Sequence, residues 1–115
     1  MRIAICDDEK SMGQILEEKV KKLLPDAVVE KYLSGDDLIS SGFKSDILFM
    51  DIQMPGKDGM ETARIVRQNN KDMILIFVTA VEEYVFQAFD VGAFHYLVKP
   101  FSDDKFEEVV KRAIK

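Results

Sequence analysis

The chain has one cysteine, one histidine, three prolines and no tryptophan in 115 residues. A lone cysteine, Cys6, excludes an internal disulfide. Its place in the apolar run Ile3-Ala4-Ile5-Cys6 marks it as a small buried hydrophobe in a reducing compartment. A thiol nucleophile is the sharper alternative for Cys6, but no histidine lies near it in sequence to act as base. No apolar run approaches the roughly 20 residues of a membrane span, and Met1 to Cys6 meets acids too early to be a signal peptide. The expectation is a cytoplasmic protein. Positive charge is also in deficit: 16 Lys and Arg face 21 Asp and Glu, a net charge of −5. That argues against direct nucleic-acid binding, which needs clustered cations, and leaves acids free for a divalent cation. There is no linker and no low-complexity segment. The length suits one domain with a real core.

What is present is a regular alternation. Short apolar runs at Ile3–Cys6, Ala27–Leu33, Asp46–Met50, Met73–Val78 and Phe94–Val98 read as strands. Helical spacing follows each: Ser11–Leu24, a short helix after Ser34, Gly59–Gln68, Glu82–Val91 and a last helix capped by Ser102. Ser11 and Gln14 have the spacing of a capping box. Met60, Ala63, Ile65 and Val66 form an inner side of the third helix, and Phe106, Val109, Val110, Ala113 and Ile114 a stripe on the last. The Met and Phe side chains read as core. Five βα units predict an α/β domain with a parallel sheet covered by helices on both faces, the second strand being polar enough for an edge.

The strand ends carry the chemistry. The first ends at Asp7-Asp8, the third at Asp51, the fourth at Thr79 and the fifth at Lys99. A parallel sheet brings all of these to one rim, where open α/β sheets place their sites. Singly, each has a plain reading: Asp51 ends a strand, Asp7 and Asp8 cap a helix, Thr79 sits in a turn, Lys99 is solvated. Jointly they describe a site. Two carboxylates about 4 Å apart repel by on the order of 4 kcal/mol at an effective dielectric of 20, so three need a counter-charge. Oxygen ligands suit Mg²⁺. A carboxylate beside Mg²⁺, a lysine and a hydroxyl makes a cradle for a phosphoryl group, with the carboxylate as nucleophile forming an acyl phosphate.

Four motifs in order, Asp7-Asp8, Asp51-Ile52-Gln53-Met54-Pro55-Gly56-Lys57-Asp58-Gly59, Thr79-Ala80 and Lys99-Pro100-Phe101, resemble the receiver domain of bacterial two-component response regulators, and the resemblance covers the whole chain. It implies a flavodoxin-like fold with strand order 2-1-3-4-5. Asp51 is then the phosphoacceptor, a 4-aspartylphosphate site. Mg²⁺ is held by Asp8, Asp51 and the Gln53 main-chain carbonyl, with Asp7 acting through a water. Lys99 contacts the phosphoryl group, Thr79 and Tyr96 are switch residues, and Lys99-Pro100 is cis. Gln53 and Val81 occupy positions that tune phosphoryl lifetime. Val81 departs from the acidic residue of fast-cycling members, which implies moderate to slow self-dephosphorylation. Phe77 to Asp90 resembles the LytTR-type regulators in particular.

On this reading a sensor histidine kinase is the donor and a C-terminal DNA-binding domain of β type, absent from this chain, is the output. The chain is then either a piece of a longer protein or a stand-alone receiver. His95 is not the donor histidine; it is expected to face outward beside the fourth helix, fifth strand and fifth helix, where Tyr84, Phe89 and Phe94 offer a homodimer surface. Two other classes remain. A Mg²⁺-dependent phosphohydrolase of the haloacid-dehalogenase type needs a second Asp where Gln53 stands. A phosphate-independent interaction or dimerisation module would have no use for the intact site.

Overall fold

The computed structural model describes residues 1–115. Strands and helices alternate: β1 (Arg2–Cys6), α1 (Lys10–Leu23), β2 (Val28–Tyr32), α2 (Gly35–Ser41), β3 (Ile47–Met50), α3 (Gly59–Asn69), β4 (Ile74–Thr79), α4 (Val85–Asp90), β5 (Ala93–Val98) and α5 (Asp103–Ala113). The five strands form one parallel sheet in the order β2-β1-β3-β4-β5, the flavodoxin-like order expected.

Period-two alternation along the inner strands sorts their side chains into two cores. Ile3, Ile5, Ile47, Phe49, Ile76 and Val78 face α1 and α5, meeting Leu16, Val20, Phe106, Val109 and Val110. Ala4, Cys6, Leu48, Met50, Leu75 and Phe77 face the other way, onto Leu38, Met60, Ala63 and Ala88 of α2, α3 and α4. Every residue of β3 is buried, because helices cover both faces of a central parallel strand. β2, at the edge, is mostly exposed. Phe49 and Phe106 stack at 5.6 Å across the α5 side, with Phe101 a further 5.8 Å from Phe106.

Several local expectations change. The Ser11–Gln14 capping box does not form. The N-cap is Glu9, whose carbonyl accepts from Met12 N and Gly13 N at 3.0 and 3.1 Å and whose side chain makes no cap; Ser11 already lies inside the helix. Ser34, Asp58 and Ser102 do cap α2, α3 and α5, each accepting from a main-chain N–H three residues on. The fourth helix begins at Val85 instead of Glu82, since the main chain at Val81 is engaged by the strand ends beside it. On α3, Thr62 is buried with Met60 and Ala63, whereas Ile65 and Val66 are only half-buried. Ile114 lies past the last turn of α5 and is exposed. The general core reading of the phenylalanines fails at Phe86, which is 82% exposed, while Phe89 and Phe94, offered above as a surface, are 64% and 41% exposed. Cys6 is buried as expected, and burial with neighbouring carboxylates pushes its thiol up to about 12, which leaves it inert.

Candidate functional site

The C-terminal rim of the sheet holds the charged residues singled out above. Ladder bonds carry on past the strands and fix the acids from below: Asp7 N donates to Tyr32 O and Asp51 N to Cys6 O, both at 3.0 Å. The carboxylates of Asp7, Asp8 and Asp51 converge, each offering an oxygen within 4.8 Å of the others. Asp7 and Asp51 are buried and Asp8 is exposed. The Lys99 ammonium reaches in from the end of β5, donating to Asp7 Oδ2 at 2.9 Å and to Asp51 Oδ2 at 3.4 Å.

The charges couple as their burial dictates. Burial pushes the Asp7 carboxyl up, and the bonds from Lys99 and from Glu9 N only partly offset this. For Lys99, burial works against the ammonium, but the Asp7 hydrogen bond and the charges of Asp51 and Asp7 outweigh it, so its pKa rises. Lys99 is therefore firmly cationic. Three carboxylates against one ammonium leave two formal negative charges at an oxygen-only donor set that opens to solvent at Asp8. That is the donor chemistry and charge of a hard divalent cation site.

The loop after β3 has a steric requirement the sequence reading did not draw out. A Cβ at Gly59 would sit 1.9 Å from the Asp51 carbonyl oxygen and 2.8 Å from Ile52 Cα. Gly59 N donates to Ile52 O at 2.8 Å. The first turn of α3 thus packs directly on the main chain that presents Asp51, and only glycine permits that approach. The signal was visible as a glycine eight residues after the acid, at the start of a helix where its low helix propensity needs a reason.

Thr79 is fully buried at the end of β4, and its hydroxyl accepts from Val81 N at 3.4 Å. Tyr96, half-buried on β5 with its ring 5.9 Å from Phe77, donates from its hydroxyl to the Val81 carbonyl. Val81 is buried between them and gripped at both its N–H and its C=O. Gln53 is exposed on the loop after Asp51. Lys99-Pro100 is cis. His95 is not part of the site; it is half-buried on β5 beside α5, and burial with Lys105 and Arg112 of α5 lowers its pKa.

Residues 3–111 match the family model of the response regulator receiver domain. The sensory transduction protein LytT of Oceanobacillus iheyensis is 34% identical over 116 residues, covering 97% of this chain and 47% of that protein. The positive alginate biosynthesis regulatory protein of Pseudomonas aeruginosa is also 34% identical, over 98% of this chain and 47% of its own length. The chain thus spans about half the length of these curated relatives. Among solved structures, a beryllofluoride-activated DrrB receiver domain superposes with a TM-score of 0.88 at 27% identity, covering 98% of this chain and 96% of that one. The response regulator TrrA of Thermotoga maritima, in complex with Mg²⁺ and beryllofluoride, gives 0.85 at 29% identity over 97% of each chain. With the family matched along nearly the whole sequence and the acidic rim in place, this chain belongs to the response regulator receiver domains of two-component signalling systems.

Proposed function

We propose that this domain accepts a phosphoryl group on Asp51 from the phosphohistidine of a sensor kinase and converts it into a conformational signal for an output domain. The observation that carries this is the meeting of Asp51 with Lys99 at 3.4 Å beside Asp7 and Asp8, on the tip of a fully buried strand. A deprotonated Asp51 oxygen attacks phosphorus in line. The bond from phosphorus to the donor nitrogen breaks, its electron pair stays on the imidazole, and Asp51 becomes an acyl phosphate. Lys99, now bonded to Asp7 and Asp51, is placed to exchange the Asp51 contact for a phosphoryl oxygen, and its raised pKa keeps it charged throughout. The residues that would hold Mg²⁺ are Asp8 and Asp51 with the Gln53 main-chain carbonyl, and Asp7 through a water. Bound there, the ion would supply the positive charge that lets a phosphoryl group enter an acidic pocket.

The switch runs through Val81. If the Thr79 hydroxyl turns toward the phosphoryl group, it releases Val81 N, and the Tyr96 hydroxyl stays as the other handle on the same residue. The loop before α4 then moves, and the exposed Phe86 and Phe89 on α4 move with it. This favours a homodimer or output contact on the α4–β5–α5 face over a substrate pocket. The domain acts as a signalling switch in the cytoplasm, without turnover of an external substrate beyond its own phosphorylation and slow hydrolysis. The relative named as a positive regulatory protein of alginate biosynthesis supports a regulatory output. The phosphohydrolase reading lacks its general acid, because Gln53 stands at that position.

Intact mass after incubation with acetyl phosphate tests the assignment. A gain of one phosphoryl mass that requires Mg²⁺ and disappears in Asp51→Asn is expected. A gain that persists in Asp51→Asn would remove Asp51 from its role. Decay of the phosphorylated form tests the lifetime: Val81→Glu should accelerate it, and an unchanged rate would count against Val81 as a tuning position.

A further inference from the structure

Arg67, in the last turn of α3, forms no ion pair with any carboxylate. Its guanidinium is spent on main-chain carbonyls from two other segments. Nε donates to Val91 O at 3.1 Å and Nη2 to Gly92 O at 3.0 Å. Nη1 donates to Lys71 O at 3.2 Å, to Asn70 O at 3.5 Å and to Met73 O. Val91 and Gly92 are the residues that end α4, and Asn70 to Met73 is the turn leading into β4. Gly92 has φ +74°, a conformation that favours glycine, and it brings that end of α4 against the guanidinium, whose Nη2 lies 3.6 Å from where a Cβ would be. A cation at the C-terminal ends of two helices is favoured by both dipoles. The fork geometry of arginine lets one side chain serve several acceptors at once.

The opposite end of α4 is the reverse. Its N-cap, Tyr84, gives no side-chain cap, its first turn has no acid, and the preceding loop hangs on the Thr79 and Tyr96 contacts to Val81. Within its six residues only Ala88 is buried. We propose that Arg67 is a positioning residue that pins the C-terminal end of α4, so that a change at Val81 swings the helix about Val91–Gly92 and re-aims Phe86 more than Phe89. The swing rests on the receiver reading above; the pinning does not.

The test is backbone NMR on the intact domain with and without Mg²⁺ and beryllofluoride, in the native chain, Arg67→Lys and Arg67→Met. Without ligand, both variants should shift the carbonyl carbons of Met73, Val91 and Gly92 and leave those of β1 and β3 unmoved. Lysine keeps the charge but loses the fork, so it should behave as methionine does here, and it decides the matter if methionine unfolds the domain. With beryllofluoride, the native chain should show a response that falls from Val81 to Gly92, and the variants should flatten that gradient. Unmoved Val91 and Gly92 carbonyls in Arg67→Lys would overturn the pinning. An equal response at both ends of α4 in the native chain would overturn the pivot. If beryllofluoride moved no residue around Asp51, the receiver reading and the swing would fall together, and the ligand-free carbonyl shifts would still judge the pin.

Discussion

α5 and α4 flank the same edge strand, β5, and they are built on opposite terms. α5 has 11 residues, a Ser102 cap, Asp103 and Asp104 in its first turn and Lys111 and Arg112 in its last. Every device that complements the helix ends is present, and Phe106, Val109, Val110 and Ala113 are buried. α4 has six residues, no side-chain cap, no charged residue of its own at either end placed to meet the dipole, and one buried residue. Its aromatic rings point outward, Phe86 being 82% exposed. An isolated helix that short does not hold itself, so α4 depends on its two attachments, Val81 and Arg67. The difference teaches where this fold keeps its stability and where it keeps its freedom: one helix secures the sheet, the other can be moved at low cost.

The largest contrast is in the phenylalanines. Phe106→Ala removes a ring stacked on Phe49 and Phe101 and should cost about 3–5 kcal/mol. Phe86→Ala should change stability by no more than about 0.5 kcal/mol. Urea unfolding of both variants measures this. Near-equal losses would mean that α4 is anchored as α5 is. If the exposed ring is a contact surface, Phe86→Ala should still weaken self-association of the phosphorylated form, which sedimentation reads separately.

Next come the caps. Ser102→Ala removes the acceptor for Lys105 N and should cost about 1 kcal/mol. Ser11→Ala should fall within about 0.5 kcal/mol of zero, because Ser11 lies inside α1 and caps nothing. A loss at Ser11 equal to that at Ser102 would restore the capping box that the structure replaces with Glu9.

These contrasts also mark what the sequence makes legible. The strand order and the meeting of Asp7, Asp8, Asp51 and Lys99 follow from chain alternation, since every βα unit delivers its strand end to the same rim. Helix boundaries follow only where a local cap decides them, as at Ser34, Asp58 and Ser102. The sequence reading starts α4 at Glu82 because Glu82 to Tyr84 has helical composition. The neighbouring Thr79 hydroxyl and the Tyr96 hydroxyl, the latter from the next strand, hold the main chain at Val81, and the helix starts only at Val85. Phe86 reads as core with the other phenylalanines: apolar character marks a face, but not whether anything covers it. Arg67 carried no motif, since its partners are carbonyls and any residue supplies those.

The smallest effect is a pH dependence confined to the α5 side of β5. His95 is half-buried, with Lys105, Arg112 and Glu108 of α5 as the charges that act on it. Burial and the two cations disfavour its protonated form, and the Tyr96 main-chain contact and Glu108 offset them only in part. In the folded state the pKa is therefore lowered, while in the unfolded chain it returns to about 6.5. Unfolding then takes up a proton in the window below that value, so acid favours the unfolded state there. The contribution of His95 is complete above about pH 6.5 and is lost as pH falls toward the lowered folded value. Replacement by glutamine removes the titration and keeps a polar side chain of similar reach. Urea midpoints measured between about pH 7.5 and pH 5 should fall more steeply for the native chain than for His95→Gln, and the two should run parallel above that window. Parallel curves throughout would mean that β5 is as open on its α5 side as it is on its α4 side, and the contrast between the two helices would lose its electrostatic support.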